Sequence, residues 1–246
     1  MLESMFRRRI LNNSFNRKSR IVLAFDEYGD KNAVLNRLCW VCEYLGEHLA
    51  CVKIGYPTIL STGLSELKSI IDEFSSENVF MADVKIADVS HTNSLIAKLL
   101  YEAGFDAVIA HGFIGYEGGL EGVFKEAKGL NRGVVVVASM SHAGSVEFLD
   151  PNMERIVQTA LKHHADGVVA PATRAHIVKR VREIAGDSLL IFTPGVGAQG
   201  AEYGSGLSAG ADFEIIGRSI MYSPNPIETV LEVKKKHDGV LADRAC

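Results

Sequence analysis

The chain has 246 residues, 47% of them hydrophobic and 23% charged, with a formal net charge of −4. That apolar fraction excludes a disordered chain, and the length suits one large domain. The acidic balance points away from nucleic acid as a partner, and no apolar run approaches the roughly 18–20 residues of a membrane span.

The charge is uneven along the chain. In the first twenty residues Arg7, Arg8, Arg9, Arg17, Lys18 and Arg20 stand against Glu3, a local +5 that leaves −9 for the rest. This stretch lacks the apolar centre of a secretory signal. Residues 1–19 are therefore expected to be a solvated basic extension, with contact to RNA or another acidic surface as the sharper alternative.

Eight short apolar runs follow: RIVLAF from 20, ACVKI from 50, NVFMAD from 78, DAVIA from 106, GVVVVAS from 133, DGVVA from 166, SLLIF from 188 and DFEII from 212. Amphipathic periodicity predicts helices over 63–75, 90–103, 151–164 and 173–185, and another over 226–237. Alternation of this kind implies parallel strands joined by right-handed crossovers. Eight units in about 220 residues favour a closed (β/α)8 TIM barrel, a single α/β domain over residues 20–240. The weakest unit is 195–211, where glycines leave little helical periodicity.

Two motifs are decoys. Cys39-Trp-Val-Cys42 matches C-x-x-C, but it sits in mid-helix beside Val34, Leu38, Val41, Leu45 and Leu49, which share one face. Redox pairs occupy helix starts, where the dipole lowers the thiol pKa. These cysteines are read as packing residues of a cytosolic protein with reduced thiols. Gly195-Val-Gly197-Ala-Gln-Gly200 matches G-x-G-x-x-G, but it follows the seventh strand and no helix pattern follows it, so no dinucleotide is expected. The histidines show no zinc spacing, and neither a metal nor a cofactor is expected.

The informative residues are charges at strand ends. Side chains two apart on a strand share a face. Met81, Asp83 and Lys85 therefore fall together, as do Cys51 with Lys53, and Val22 and Ala24 with Asp26. Asp26, Lys53, Asp83 and Lys85 thus converge on the rim where barrel enzymes keep their chemistry, and Asp88 lies just beyond. Buried charges are costly unless paired, so one such residue is compatible with a structural ion pair, whereas the set points to function. The loops after strands seven and eight carry Gln199 and Gly217-Arg218. Bare amides and a guanidinium at a helix start suit a phosphate.

Read together, LAFDEYG, VKIGYP, DVKIADVSHTN, SMSHAG, TPGVGAQG and IIGRSI resemble the orotidine 5′-phosphate decarboxylase family from about residue 20 to 237. DVKIADVSHTN carries the family's D-x-K-x-x-D signature and the Thr after it. The resemblance implies cofactor-free decarboxylation of orotidine 5′-phosphate to UMP, the last step of de novo UMP synthesis. It gives Asp26 the ribose hydroxyls and makes Lys53, Asp83, Lys85 and Asp88 the catalytic array. Ser141 would meet the pyrimidine edge. Pro194, Gln199, Gly217 and Arg218 would bind substrate, the last three at its phosphate. Asp88 and Thr92 would reach into the neighbouring subunit's site, which implies a homodimer. Two departures are visible: Ala143 stands where a Pro is common, and the basic N-terminal stretch lies outside the pattern.

Two alternatives stay open on these residues. Sibling sugar-phosphate enzymes, of the 3-keto-L-gulonate-6-phosphate decarboxylase or hexulose-6-phosphate synthase type, share D-x-K-x-x-D but use a divalent metal and place an acid where Lys53 stands. A non-catalytic nucleotide-binding barrel would be marked by loss of Lys85 or Asp83, and both are present.

Overall fold

The structure, a computed structural model, describes residues 3–245. In chain order its main elements are α1 (Met5–Arg17), β1 (Ile21–Phe25), α2 (Lys31–Trp40), β2 (Cys51–Gly55), α3 (Tyr56–Thr62), α4 (Leu64–Phe74), β3 (Phe80–Ile86), α5 (Ser90–Glu102), β4 (Ala107–His111), α6 (Glu121–Leu130), β5 (Gly133–Val137), α7 (Ser145–Lys162), β6 (Gly167–Val169), α8 (Ala175–Ala185), β7 (Leu190–Pro194), α9 (Ser205–Ser208), β8 (Phe213–Ile216), α10 (Arg218–Met221) and α11 (Pro226–Ala245). All eight strands are parallel, and β8 pairs with β1 to close the barrel.

Each predicted apolar run overlaps one strand, and strand alternation divides the core in two. Ile21, Leu23 and Phe25 of β1 face the helices, with Val52 and Ile54 of β2 beside them. Val22, Cys51, Met81, Ile109, Val137, Phe192 and Phe213 fill the barrel interior. This is the layered filling that makes such a barrel a packed core rather than a pore. The unit after β7 holds only the single turn α9, as the glycine content of 195–211 led one to expect. Helix α7 begins earlier than the predicted 151, at Ser145, and runs through Pro151. Cys42 is buried, and burial pushes its thiol up to about 12, so Cys39 and Cys42 form no reactive pair.

The N-terminal stretch differs most from expectation. Residues 5–17 form a helix capped by Ser4, whose Oγ accepts from Arg7 N at 3.0 Å. Phe6 and Ile10, one turn apart, are fully buried and join the interior cluster, with the Phe6 ring 6.3 Å from that of Phe192. Between them Arg8 is exposed, but Arg7 and Arg9 are half-buried and turn onto the barrel. Arg7 donates to the carbonyls of Asp166 (3.1 Å), Asp187 (2.9 Å) and Ser188 (3.2 Å). Arg9 pairs with Asp106, and Arg17 donates to the carbonyls of Gly46 (2.6 Å) and Leu49 (3.0 Å). The expected solvated extension is instead a plug across the N-terminal mouth of the barrel. Its charges are largely taken up by carbonyls of the turns that lead into the strands.

Candidate active site

At the opposite mouth, three strands present charge to a common point. Lys53 of β2 is 4% exposed and donates to Asp83 Oδ2 at 2.8 Å and to Asp26 Oδ1 at 3.3 Å. Lys85 Nζ donates to the other oxygen, Asp83 Oδ1, also at 2.8 Å. Asp83 therefore lies between two ammonium groups, and the three residues carry a net positive charge. Burial works to raise the Asp83 pKa, but Lys53 and Lys85 outweigh it and hold the carboxylate below its ordinary range. Burial likewise works to lower Lys53, and Asp83 and Asp26 together carry it above the usual lysine value. Asp83 and Lys53 are thus held ionised at neutral pH by their charged neighbours.

The backbone makes this arrangement possible at two places. A Cβ on Gly55 would collide with the Asp26 carboxylate, so only glycine at the end of β2 lets Asp26 lean toward Lys53. Lys85 has a positive φ of 47°, and the pairing of β3 with β4 shifts register between Ala82 and Ile86. A non-glycine residue in the left-handed region costs about 1–2 kcal/mol. Here that irregularity sits at the residue whose ammonium stands against Asp83.

These side chains form one wall of a cavity of about 250 Å³. Of the expected site residues, Asp26, Lys53, Asp83, Lys85, Ser141, Pro194, Gln199, Gly217 and Arg218 all line it. Arg218 is exposed and has no acidic partner among the described residues. Gly195, Gly197 and Gly200 all have positive φ, so the G-x-G-x-x-G match is a loop that turns back on itself, with Gly197 N donating to Ala201 O at 2.8 Å. No long helix follows it.

Asp88 and Thr92 do not join the cavity of their own chain. Asp88 is exposed, and its Oδ1 accepts from Val89 N at 2.7 Å. The turn is held by Asn93, which sequence reasoning missed. Buried on α5, Asn93 accepts from Asp88 N at 2.9 Å and donates to the carbonyls of Asp88 (2.6 Å) and Gly119 (3.0 Å). Also missed is Glu214 on the outer face of β8. It is fully buried and accepts from Gly204 N (2.9 Å) and Gly206 N (2.8 Å), with His237 Nε2 at 2.8 Å. That cluster anchors the segment that follows the glycine loop. An acid within an apolar strand was its only signal.

Residues 19–233 match the family model described as the orotidine 5′-phosphate decarboxylase / HUMPS family. The chain belongs to this family. It is 40% identical over 220 residues to an orotidine 5′-phosphate decarboxylase of Methanosarcina acetivorans, covering 89% of this chain and 95% of that one. Among solved structures, an orotidine 5′-monophosphate decarboxylase of Methanocaldococcus jannaschii complexed with the inhibitor BMP is 36% identical. It superposes with a TM-score of 0.77 and covers 88% of this chain and 97% of its own. The Sulfolobus solfataricus enzyme is similar at 26% identity, with a TM-score of 0.78 over 91% of this chain and 99% of that chain. The family match begins at residue 19, so the plug α1 lies ahead of the region that the decarboxylase family model describes.

Proposed function

We propose that this protein decarboxylates orotidine 5′-phosphate to UMP without a cofactor. The observation that carries the reading is the Lys53–Asp83–Lys85 array on one wall of a cavity whose lining also includes Arg218, without an acidic partner among the described residues, and the glycine loop at Gly195 and Gln199. The phosphate would lie against Gln199, Gly217 and Arg218, the ribose hydroxyls at Asp26, and the pyrimidine edge at Ser141.

The chemistry follows from the placement. When the bond between C6 and the carboxylate breaks, CO2 leaves and the electron pair stays on C6. The ammonium of Lys85 stabilises that charge as it develops, then gives C6 a proton and regains one from solvent. Asp83 holds Lys85 in place and faces the departing carboxylate. Two carboxylates about 4 Å apart repel by roughly 4 kcal/mol at an effective dielectric of 20. The phosphate is remote from the breaking bond, so its binding energy is available to close the glycine loop over the base.

The sibling sugar-phosphate reading falls within the same family description and needs a divalent cation. Lys53 argues against it. Its ammonium occupies the space between Asp83 and Asp26, where a cation would meet like charge. No group of three or more His, Cys, Asp or Glu side chains among the described residues is placed to hold a metal ion.

The working unit in this reading is a homodimer packed through the C-terminal faces of the barrels, placed in the cytoplasm as an enzyme of UMP synthesis. Asp88 and Thr92, idle in their own chain, would complete the partner's site. Support comes from Val89, Leu95 and Leu99 on and before α5, and from Phe113 after β4, which leave large apolar side chains exposed on adjoining segments. No helix among the described residues is long and apolar enough to cross a membrane.

The test is to add orotidine 5′-phosphate with EDTA present and follow the loss of its ultraviolet absorbance. Turnover is expected to persist. Activity abolished by thorough chelation and restored by Mg2+ would favour the sibling reading, and no turnover under either condition would favour a binding protein.

A further inference from the structure

One charged cluster next to the cavity has no part in the reading above. Arg174 stands between β6 and α8. Its guanidinium donates to the Asp150 carboxylate, to the carbonyl of Met140 and, at 3.3 Å, to Ser139 Oγ. Asp150, on α7, accepts from Ser139 Oγ at 2.6 Å and from Ser145 Oγ at 2.8 Å. Ser145 Oγ accepts in turn from Met140 N at 3.1 Å. Ser139 and Ser145 are buried, and the Arg174 and Asp150 side chains are only 18% and 14% exposed.

Both backbone polar groups of Met140 are therefore taken by side chains of this cluster. The next residue is Ser141, and Met140 and Ser141 both line the cavity. A loop between a strand and a helix is ordinarily free to shift, because its backbone groups can exchange partners with water. Here the peptide just before Ser141 is held on two sides, from α7 through Ser145 and from the β6 loop through Arg174. A fork-shaped guanidinium fixes direction as well as distance, which a lysine in its place would not do. Burial works to raise the Asp150 pKa, but Ser139, Ser145 and Arg174 outweigh it and keep the carboxyl below its ordinary range, so Asp150 stays ionised at neutral pH.

We propose that Asp150 and Arg174 are positioning residues that fix the loop after β5, so that Ser141 meets the pyrimidine edge of the substrate. Neither touches the ligand. Both act through the Met140 peptide. The proposal rests on the reading of Ser141 and of the substrate given above, and it assigns the recognition of the base to an ion pair between α7 and the β6 loop.

The experiment is a double-mutant cycle on the full chain. Asp150→Asn keeps the shape of the carboxyl and removes its charge, Arg174→Lys keeps the charge and removes the fork, and each is combined with Ser141→Ala. In the wild-type background each substitution should lower kcat/KM by about 10- to 150-fold, the range of a lost charge-assisted hydrogen bond. In the Ser141→Ala background the same substitutions should cost less than about 2-fold, because the group they position is gone. Binding of ribose 5-phosphate, which has no base, should be unchanged in all variants, while binding of UMP should weaken. Losses that multiply independently of Ser141, or equal losses for ribose 5-phosphate and UMP, would overturn the proposal and leave the cluster a general support of the fold. Failure of the single variants to fold would overturn it in the same way. Absence of turnover in the wild-type control would instead sink the decarboxylase reading, so the two failures are distinguishable.

Discussion

Lys85 carries the largest share of the proposed chemistry and is the residue whose loss should be felt most. Lys85→Ala should lower kcat by more than the roughly 100- to 10,000-fold typical of a lost general acid, because the same ammonium stabilises the carbanion. Ligand binding should largely survive. A variant that keeps a tenth of wild-type kcat in a steady-state assay would be incompatible with this role. Arg218→Ala should act differently, weakening UMP by roughly 10- to 150-fold, the equivalent of about 1.5–3 kcal/mol, and leaving uridine almost unaffected. Equal losses for both ligands, measured by titration calorimetry, would place Arg218 away from the phosphate. The charged array is legible in the sequence because strand alternation assigns Lys53, Asp83 and Lys85 to the interior face directly. The left-handed backbone of Lys85 is not legible, since nothing in V-K-I announces a positive φ. Nor are Asn93, Asp150 and Arg174. Their roles come from contacts with turns that only the closed barrel brings near.

The strands are legible for the same reason as the array, and the plug is not. Helix α1 buries two large apolar side chains, Phe6 and Ile10, among four basic residues, so a reading by hydrophobic period finds charge and no stripe. Its anchoring also changes the acid–base behaviour of the barrel floor. Asp166 accepts from Ser4 Oγ and from Val134 N at 2.8 Å, and burial pushes its carboxyl up to about 6. An unfolded Asp titrates near 4. The folded state therefore binds this proton more tightly, and the stability it contributes is complete below about pH 4 and lost as pH rises through about 6. Asp166→Asn removes the titration and keeps the size of the group. Relative to that variant, the wild type should lose on the order of 2 kcal/mol between pH 4 and pH 7. Denaturant unfolding of both proteins across this range checks it, and parallel pH curves would contradict it.

Assembly makes a prediction that no single barrel can make. If Asp88 serves the partner's site, Lys85→Ala and Asp88→Ala should each be inactive alone. A mixed dimer puts both lesions in one site and leaves the other wild-type in its residues. Subunit exchange at equal amounts should therefore restore activity toward about a quarter of the wild-type value. Demonstrated exchange without recovery would count against a shared site, and an active monomer would rule it out.

Helix α1 also sets a delay in time. It is made before every strand of the barrel, yet its partners Asp166, Asp187 and Ser188 lie 159 to 181 residues beyond Arg7. At about 5–20 residues per second, a ribosome needs roughly 10 to 35 seconds to reach them. Through that interval Phe6 and Ile10 have no barrel to enter, and the arginines around them keep the nascent segment hydrated and mutually repelling. The same side chains then become the bonds that fasten the plug. Pulse-labelled amide exchange during refolding should show α1 gaining protection together with β6 and β7, and protection of α1 ahead of those strands would mean that it docks without them.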